Sequence, residues 1–183
     1  INVDDVTKPT VLTKGKTVYL DDSGNASIVA ADVNNGTYDN CEGEISFILS
    51  KSTFSCADIP GVAVSLTATD CSGNSAGENA YVTVIDKIAP KITCASGTPF
   101  TRFTDLNCAY YTVGGTELDA TAADACGIAT LVYACPTASS SSGSTLAGVQ
   151  LPVGIHTVTW TATDNNGNKS ECQIVVTVEK RPV

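Results

Sequence analysis

The sequence of 183 residues has no methionine, one histidine and one tryptophan, and its 10 Lys and Arg face 19 Asp and Glu. Each shortage excludes something. A nucleophile activated by an imidazole would have to use His156, the single histidine. The eight cysteines include no Cys-x-x-Cys pair, so the usual zinc-ligand spacing is absent. A net charge of −9 without clustered Lys and Arg argues against a nucleic-acid partner. No apolar run approaches the roughly 18 residues that span a bilayer, and no charged-then-apolar leader opens the chain. No stretch keeps a 3.6-residue period over three turns, so helices are not expected. Without methionine, Ile1 reads as a cut, and the expectation is a pair of repeats from a longer array.

What is present is a repeat. Residues 64–74, Val-Ser-Leu-Thr-Ala-Thr-Asp-Cys-Ser-Gly-Asn, recur at 158–168 as Val-Thr-Trp-Thr-Ala-Thr-Asp-Asn-Asn-Gly-Asn, 94 positions downstream. Val82-Thr83-Val84 recurs as Val176-Thr177-Val178, and Asp5-x-x-x-Pro9 as Asp86-x-x-x-Pro90. A period of this length marks tandem copies of one small domain, divided here as 1–86 and 87–183.

Before each Asp-x-x-Gly-Asn turn the chain alternates. Val64, Leu66 and Ala68, and in the second copy His156, Val158, Trp160 and Ala162, fall on one face of a strand against Ser and Thr on the other. The partner strands carry Ala80, Val82 and Val84, or Cys172, Ile174, Val176 and Val178. Earlier strands are predicted at Thr17–Leu20, Ala26–Ala31 and Ile45–Ser50, then Lys91–Cys94, Ala109–Val113 and Ala129–Ala134. The serine run 139–142 is predicted to be a mobile surface loop. Short strands at this spacing predict two tandem immunoglobulin-like β-sandwich domains, all-β, arranged end to end.

The Val-x-Leu-Thr-Ala-Thr-Asp-x-x-Gly-Asn segment, the Asp-x-x-x-Pro linkers, Asp39-Asn40-Cys41 and Phe54-x-Cys56 together resemble hyalin-type (HYR) repeats. They also resemble repeats of giant adhesins and gliding-motility surface proteins of the Bacteroidetes. Ile92-Thr93-Cys94, Pro152-Val153-Gly154 and Ser170-Glu171-Cys172 make the second copy the more similar of the two. The resemblance implies a non-catalytic structural or adhesive repeat of a large secreted or cell-surface protein, an adhesin or an extracellular filament subunit. Its partners would be neighbouring repeats of the same polypeptide, further copies in an oligomer or filament, and surface glycans or proteins. The alternative is a carbohydrate- or protein-binding module attached to a secreted enzyme or receptor.

An even cysteine count in an acidic, strand-rich chain reads as disulfides and an extracellular compartment. Where the second copy has Cys94 and Cys172, the first has Thr13 and Glu78. The joint absence predicts a Cys94–Cys172 bond. Cys41 and Cys56 are then expected to pair locally in the first copy. Cys71 has three outcomes: bonding to Cys41 or Cys56, bonding to another chain, or staying free. Cys108, Cys126 and Cys135 remain unassigned.

Acidic turns supply the one candidate for site chemistry. In an immunoglobulin-like sandwich the linker aspartate Asp86, Asp124 and Asp164 would gather at one end with Asn165 or Asn168, and Asp4, Asp5, Asp32, Asp39, Asp70 and Asn74 would do so in the first copy. Ca²⁺ takes six to eight oxygen ligands of this kind, and it would stiffen the joint. The competing reading is that Asp and Asn stand there because they make good turns. His156 and Trp160 are expected in the core.

Overall fold

The computed structural model describes residues 5–107 and 109–182; Asp4 and Cys108 lie outside the described residues. The chain divides into two compact units, Ile1–Lys87 and Ile88–Val183. Each is an immunoglobulin-like β-sandwich.

In the first unit the strands are β1 (Lys16–Tyr19), β2 (Asn25–Ser27), β3 (Ser46–Leu49), β4 (Thr53–Ser55), β5 (Gly61–Thr69) and β6 (Ser75–Ile85). One sheet runs β1-β6-β5-β3, and β2 pairs with β4 in the facing layer. β1 lies parallel to β6, while β5 and β6 form the long antiparallel hairpin. Val64, Leu66, Ala68 and Val82 are fully buried, and Val84 and Ala80 nearly so. The period-two alternation therefore packs against Ile28, Val33 and Phe54 of the other layer. One helical turn, α1 (Ala30–Val33), stands where the strand 26–31 was predicted to continue. Asp32 explains the break: its Oδ2 accepts from Val29 N–H at 2.9 Å and its Oδ1 holds Lys16 Nζ at 2.7 Å. This carboxylate caps a turn that an extended chain could not satisfy.

The second unit holds β7 (Lys91–Thr93), β8 (Phe100–Phe103), β9 (Tyr110–Thr112), β10 (Thr121–Ala123), β11 (Ile128–Ala134), β12 (Ser142–Gly143), β13 (Gln150–Pro152), β14 (Gly154–Asp164) and β15 (Lys169–Glu179). Its main sheet is β12-β11-β14-β15-β8, and β10 with β7 and β13 with β9 make the opposing pairs. The opening strand changes sheets: β7 pairs antiparallel with β10, and beyond Pro99 β8 joins β15 in parallel. Proline has no N–H for the ladder, which suits a crossing point. Trp160 is fully buried, its Nε1 donates to Leu118 O at 3.2 Å, and Tyr133 meets it edge-on at 5.5 Å.

The serine run is not the free loop the composition suggested. Ser142 and Gly143 pair with Ala134 and Tyr133, Tyr133 Oη donates to Ser140 O, and Ser139 N–H donates to Gln150 O at 2.9 Å. Serine hydroxyls and backbone satisfy one another here, so low complexity does not leave the segment untethered. Among the described residues no helix is long and apolar enough to cross a membrane.

Candidate metal centres

The Asp-x-x-Gly-Asn turn is built the same way wherever it occurs. Asp70 Oδ1 accepts from Ser72 N–H and Asn74 N–H at 2.9 and 2.8 Å, and its Oδ2 accepts from Asn74 Nδ2 at 2.9 Å. Asp164 does the same with Asn166 N–H, Asn168 N–H and Asn168 Nδ2, at 2.8, 2.9 and 2.8 Å. Asp21 repeats the pattern with Ser23 and Asn25, both at 2.9 Å. Gly73 and Gly167 sit at φ 89° and 91°, the left-handed region that favours glycine. Asp70, Asp164 and Asn168 thus act first as turn formers, with oxygens already occupied. Burial would raise the Asp70 carboxyl, but the hydrogen bonds from Asn74 and Ser72 hold it below the ordinary range.

In the first unit two other carboxylates converge with a cysteine: Asp5, Asp39 and Cys41 place ligand atoms within 4.8 Å of one another. Asp86, near the end of that unit, is buried. Asp39 Oδ1 accepts from Cys41 N–H at 2.9 Å and Asp124 Oδ1 from Cys126 N–H at 2.8 Å, so each loop turns on its aspartate. Asp5 Oδ1 is held by Thr7 N–H at 2.9 Å. The second oxygens of Asp5 and Asp39 are shut away from solvent and accept no hydrogen bond from nitrogen or oxygen. The Thr7 amide, then the Cys41 thiol, hold the Asp5 carboxyl low. In return Asp5, with burial and then Asp39, pushes the Cys41 thiol up to about 11. Asn74 fastens this loop tip to the hairpin turn, Nδ2 donating to Asp5 O at 3.0 Å. Asp32, weighed for this end, instead serves α1 and Lys16.

The cysteines divide the expectations. Cys94 is bonded to Cys172. Cys41 is a free thiol while Cys56 is disulfide-bonded, so the expected Cys41–Cys56 bond does not form. The cause is the length of the sandwich. Cys41 lies by the Asp70–Asn74 turn, whereas Cys56 follows β4 and sits by Gly24 at the opposite end. The nine residues of β5 separate those ends by roughly 26 Å at about 3.3 Å per residue. Cys126 is also disulfide-bonded, and Cys71 and Cys135 carry free thiols, the latter buried.

The remaining candidates are structural. His156 is 2 % exposed, with Nε2 at 2.7 Å from Pro152 O and Nδ1 at 2.7 Å from Thr137 Oγ1. The Nε2–H tautomer satisfies both contacts, so the ring clamps the 137 and 152 loops together. Of the aromatics, Phe100 is buried and Tyr111 donates its hydroxyl to Glu117. Tyr110 lines a shallow hollow with Thr137, Ser139 and Gln150.

The fold defines a disulfide-bonded, immunoglobulin-like β-sandwich module. The chain belongs to the HYR domain family, whose model matches residues 85–178. No curated protein matches it. Among solved structures it is similar to Sidekick-1 immunoglobulin domains 1–4, at 12% identity and a TM-score of 0.48, covering 93% of this chain and 48% of that one. It is also similar to Drosophila N-cadherin EC1–4, at 14% identity and TM-score 0.47, covering 96% of this chain and 50% of that one. Mouse cadherin-23 EC22–24 matches at 14% identity and TM-score 0.44, with 94% and 67% covered. The chain spans about half the length of the Sidekick-1 fragment.

Proposed function

We propose that this chain is a pair of non-catalytic structural repeats from a large secreted or cell-surface adhesin or extracellular filament protein, and that calcium stiffens the first repeat at its Asp5–Asp39 end. The observation that carries the reading is the pairing of Asp5, from the opening segment, with Asp39, from a loop, each with one oxygen shut away from solvent. A catalytic constellation would need a base within reach of a nucleophile, and the only imidazole is occupied in a structural clamp. Carboxylates this close repel one another, and a divalent cation between them turns that repulsion into attraction. Asp5 Oδ2 and Asp39 Oδ2, lacking donors, are the oxygens that gain most. Backbone carbonyls and water would complete the shell.

Cys41 offers a thiol beside these carboxylates. Ca²⁺ takes oxygen ligands, so Asp5 and Asp39 would hold it and the thiol would not. Glycan or protein ligands, if this were instead a binding module, would be sought at the hollow beside Tyr110.

The test is calorimetry in chelator and in millimolar Ca²⁺, on the wild type, Asp5→Asn and Asp39→Asn. Asparagine keeps the oxygen that caps the turn and removes the charge. A calcium-dependent rise in melting temperature that each variant diminishes supports the reading. An identical wild-type melting curve in both buffers would reduce these aspartates to turn formers.

A further inference from the structure

Cys41 and Cys71 of the first repeat are both exposed and both free thiols. They arrive from different loops. Cys71 is the second residue of the Asp70–Asn74 turn, and Cys41 closes the turn capped by Asp39. The Cys71 side chain lies directly on Gly43: a Cβ built there would sit 2.7 Å from Cys71 Sγ and 3.1 Å from its Cβ. Gly43 is two residues from Cys41, so their Cα atoms are at most about 7 Å apart at 3.8 Å per step. On the other side Asn74 holds Asp5, which in turn sits against Cys41. Both thiols therefore occupy one loop tip.

The second repeat shows what this position does. Asn165 stands where the first repeat has Cys71, and its Nδ2 donates to Cys126 O at 2.7 Å. A Cβ built on Gly127 would lie 2.7 Å from that same nitrogen. In both copies the residue after the turn aspartate packs on a glycine beside the Asp-x-Cys loop. The second copy closes the contact with a hydrogen bond; the first puts sulfur there, on a glycine two residues from Cys41.

We propose that Cys41 and Cys71 form a disulfide, which staples the 39–44 loop to the last hairpin turn of the first repeat. The oxidant is a small disulfide of the oxidised-glutathione class. One cysteine, as thiolate, attacks a sulfur of that molecule, breaking its S–S bond and releasing one small thiol. The other then attacks the protein-bound sulfur of the mixed disulfide, forming the Cys41–Cys71 bond and releasing the second small thiol. Two electrons pass from the cysteine pair to the small disulfide, and the two cysteine protons end on the two small thiols or in solvent. The bond requires the two Cα atoms to come within about 4.4–6.8 Å of each other. The proposal does not depend on calcium.

The test is non-reducing peptide mapping of the full chain after incubation with oxidised glutathione, alkylation of residual thiols, and cleavage with trypsin and an Asp-specific protease. These cuts place Cys41 on 39–51, Cys56 on 52–57 and Cys71 on 70–85. A 39–51 peptide joined to 70–85 is the expected result, lost in Cys71→Asn, which takes the second repeat's residue and leaves Cys41 alkylated. Alkylation of both cysteines in the wild type while Cys94–Cys172 stays intact would overturn the proposal. So would either cysteine joined to any other peptide.

Discussion

At the scale of single residues, aspartates that look interchangeable in the sequence do two jobs. Asp164 and Asp70 each accept three hydrogen bonds within their own turn, whereas Asp39 turns a loop with one oxygen and faces Asp5. Asp164→Ala is therefore expected to cost about 1–3 kcal/mol in urea unfolding, because three part-buried hydrogen bonds of the turn lose their acceptor. It should leave most of any calcium response in place. Asp39→Asn should show the reverse, near-unchanged stability in chelator and a reduced response. Equal loss of the calcium response in both variants would show that the turn and the cation site cannot be separated. Gly43 is the residue-scale companion of the disulfide: a methyl added there meets Cys71 Sγ, so Gly43→Ala is expected to slow closure of the bond.

At the scale of elements, the long hairpins were legible because a buried face writes period two into the chain, and every residue assigned inward on 64–68 and 156–162 is buried. The turns were legible for a similar reason, since Asp-x-x-Gly-Asn carries its own acceptor and its own left-handed residue. What was not legible was set by tertiary context. Asp32 ends β2 early only because Lys16 comes from a distant strand. Cys41 and Cys56 are close in sequence yet at opposite ends, because β3 and β4 carry the chain along the sandwich between them. The separation of Asp5 and Asp39 from Asp70 as a site could not be seen without knowing which oxygens the turns use. The strap between β7 and β15 is different: the joint absence of two cysteines in the first copy pointed to it. Cys94–Cys172 spans 78 residues, a closure worth about 4 kcal/mol in the chain-entropy account. Cys94→Ala is expected to lower the urea midpoint of the second repeat accordingly, and Trp160→Ala to cost about 3–5 kcal/mol by opening its core. An unchanged midpoint in Cys94→Ala would mean that the reduced unfolded chain retains the closure.

At the scale of the whole molecule, charge decides the response to solution conditions. Asp32, Asp58 and Glu117 are held below their ordinary values, by Lys16, by Lys51, and by the Tyr111 hydroxyl with Arg102 respectively. An acid with a depressed folded pKa contributes stability above its unfolded value and loses it as pH falls through the folded one. Stability is therefore expected to hold from neutrality to about pH 5 and to decline below about pH 4, read by urea midpoints across that range. A net charge of −9 works in the opposite direction, since protonation also relieves self-repulsion. A second way to relieve it is a divalent cation at the end where Asp5 meets Asp39. Such binding stabilises the folded state by mass action, about 1.4 kcal/mol at ten times the dissociation constant. For a domain of this size that is a rise of roughly 5–10 °C in melting temperature. The two effects are linked, because the carboxylates that bind the cation must be ionised. The calcium-induced rise should accordingly be full at pH 7 and fade as pH falls toward 4. A rise of the same size at pH 4 as at pH 7 would place the cation somewhere other than on these carboxylates.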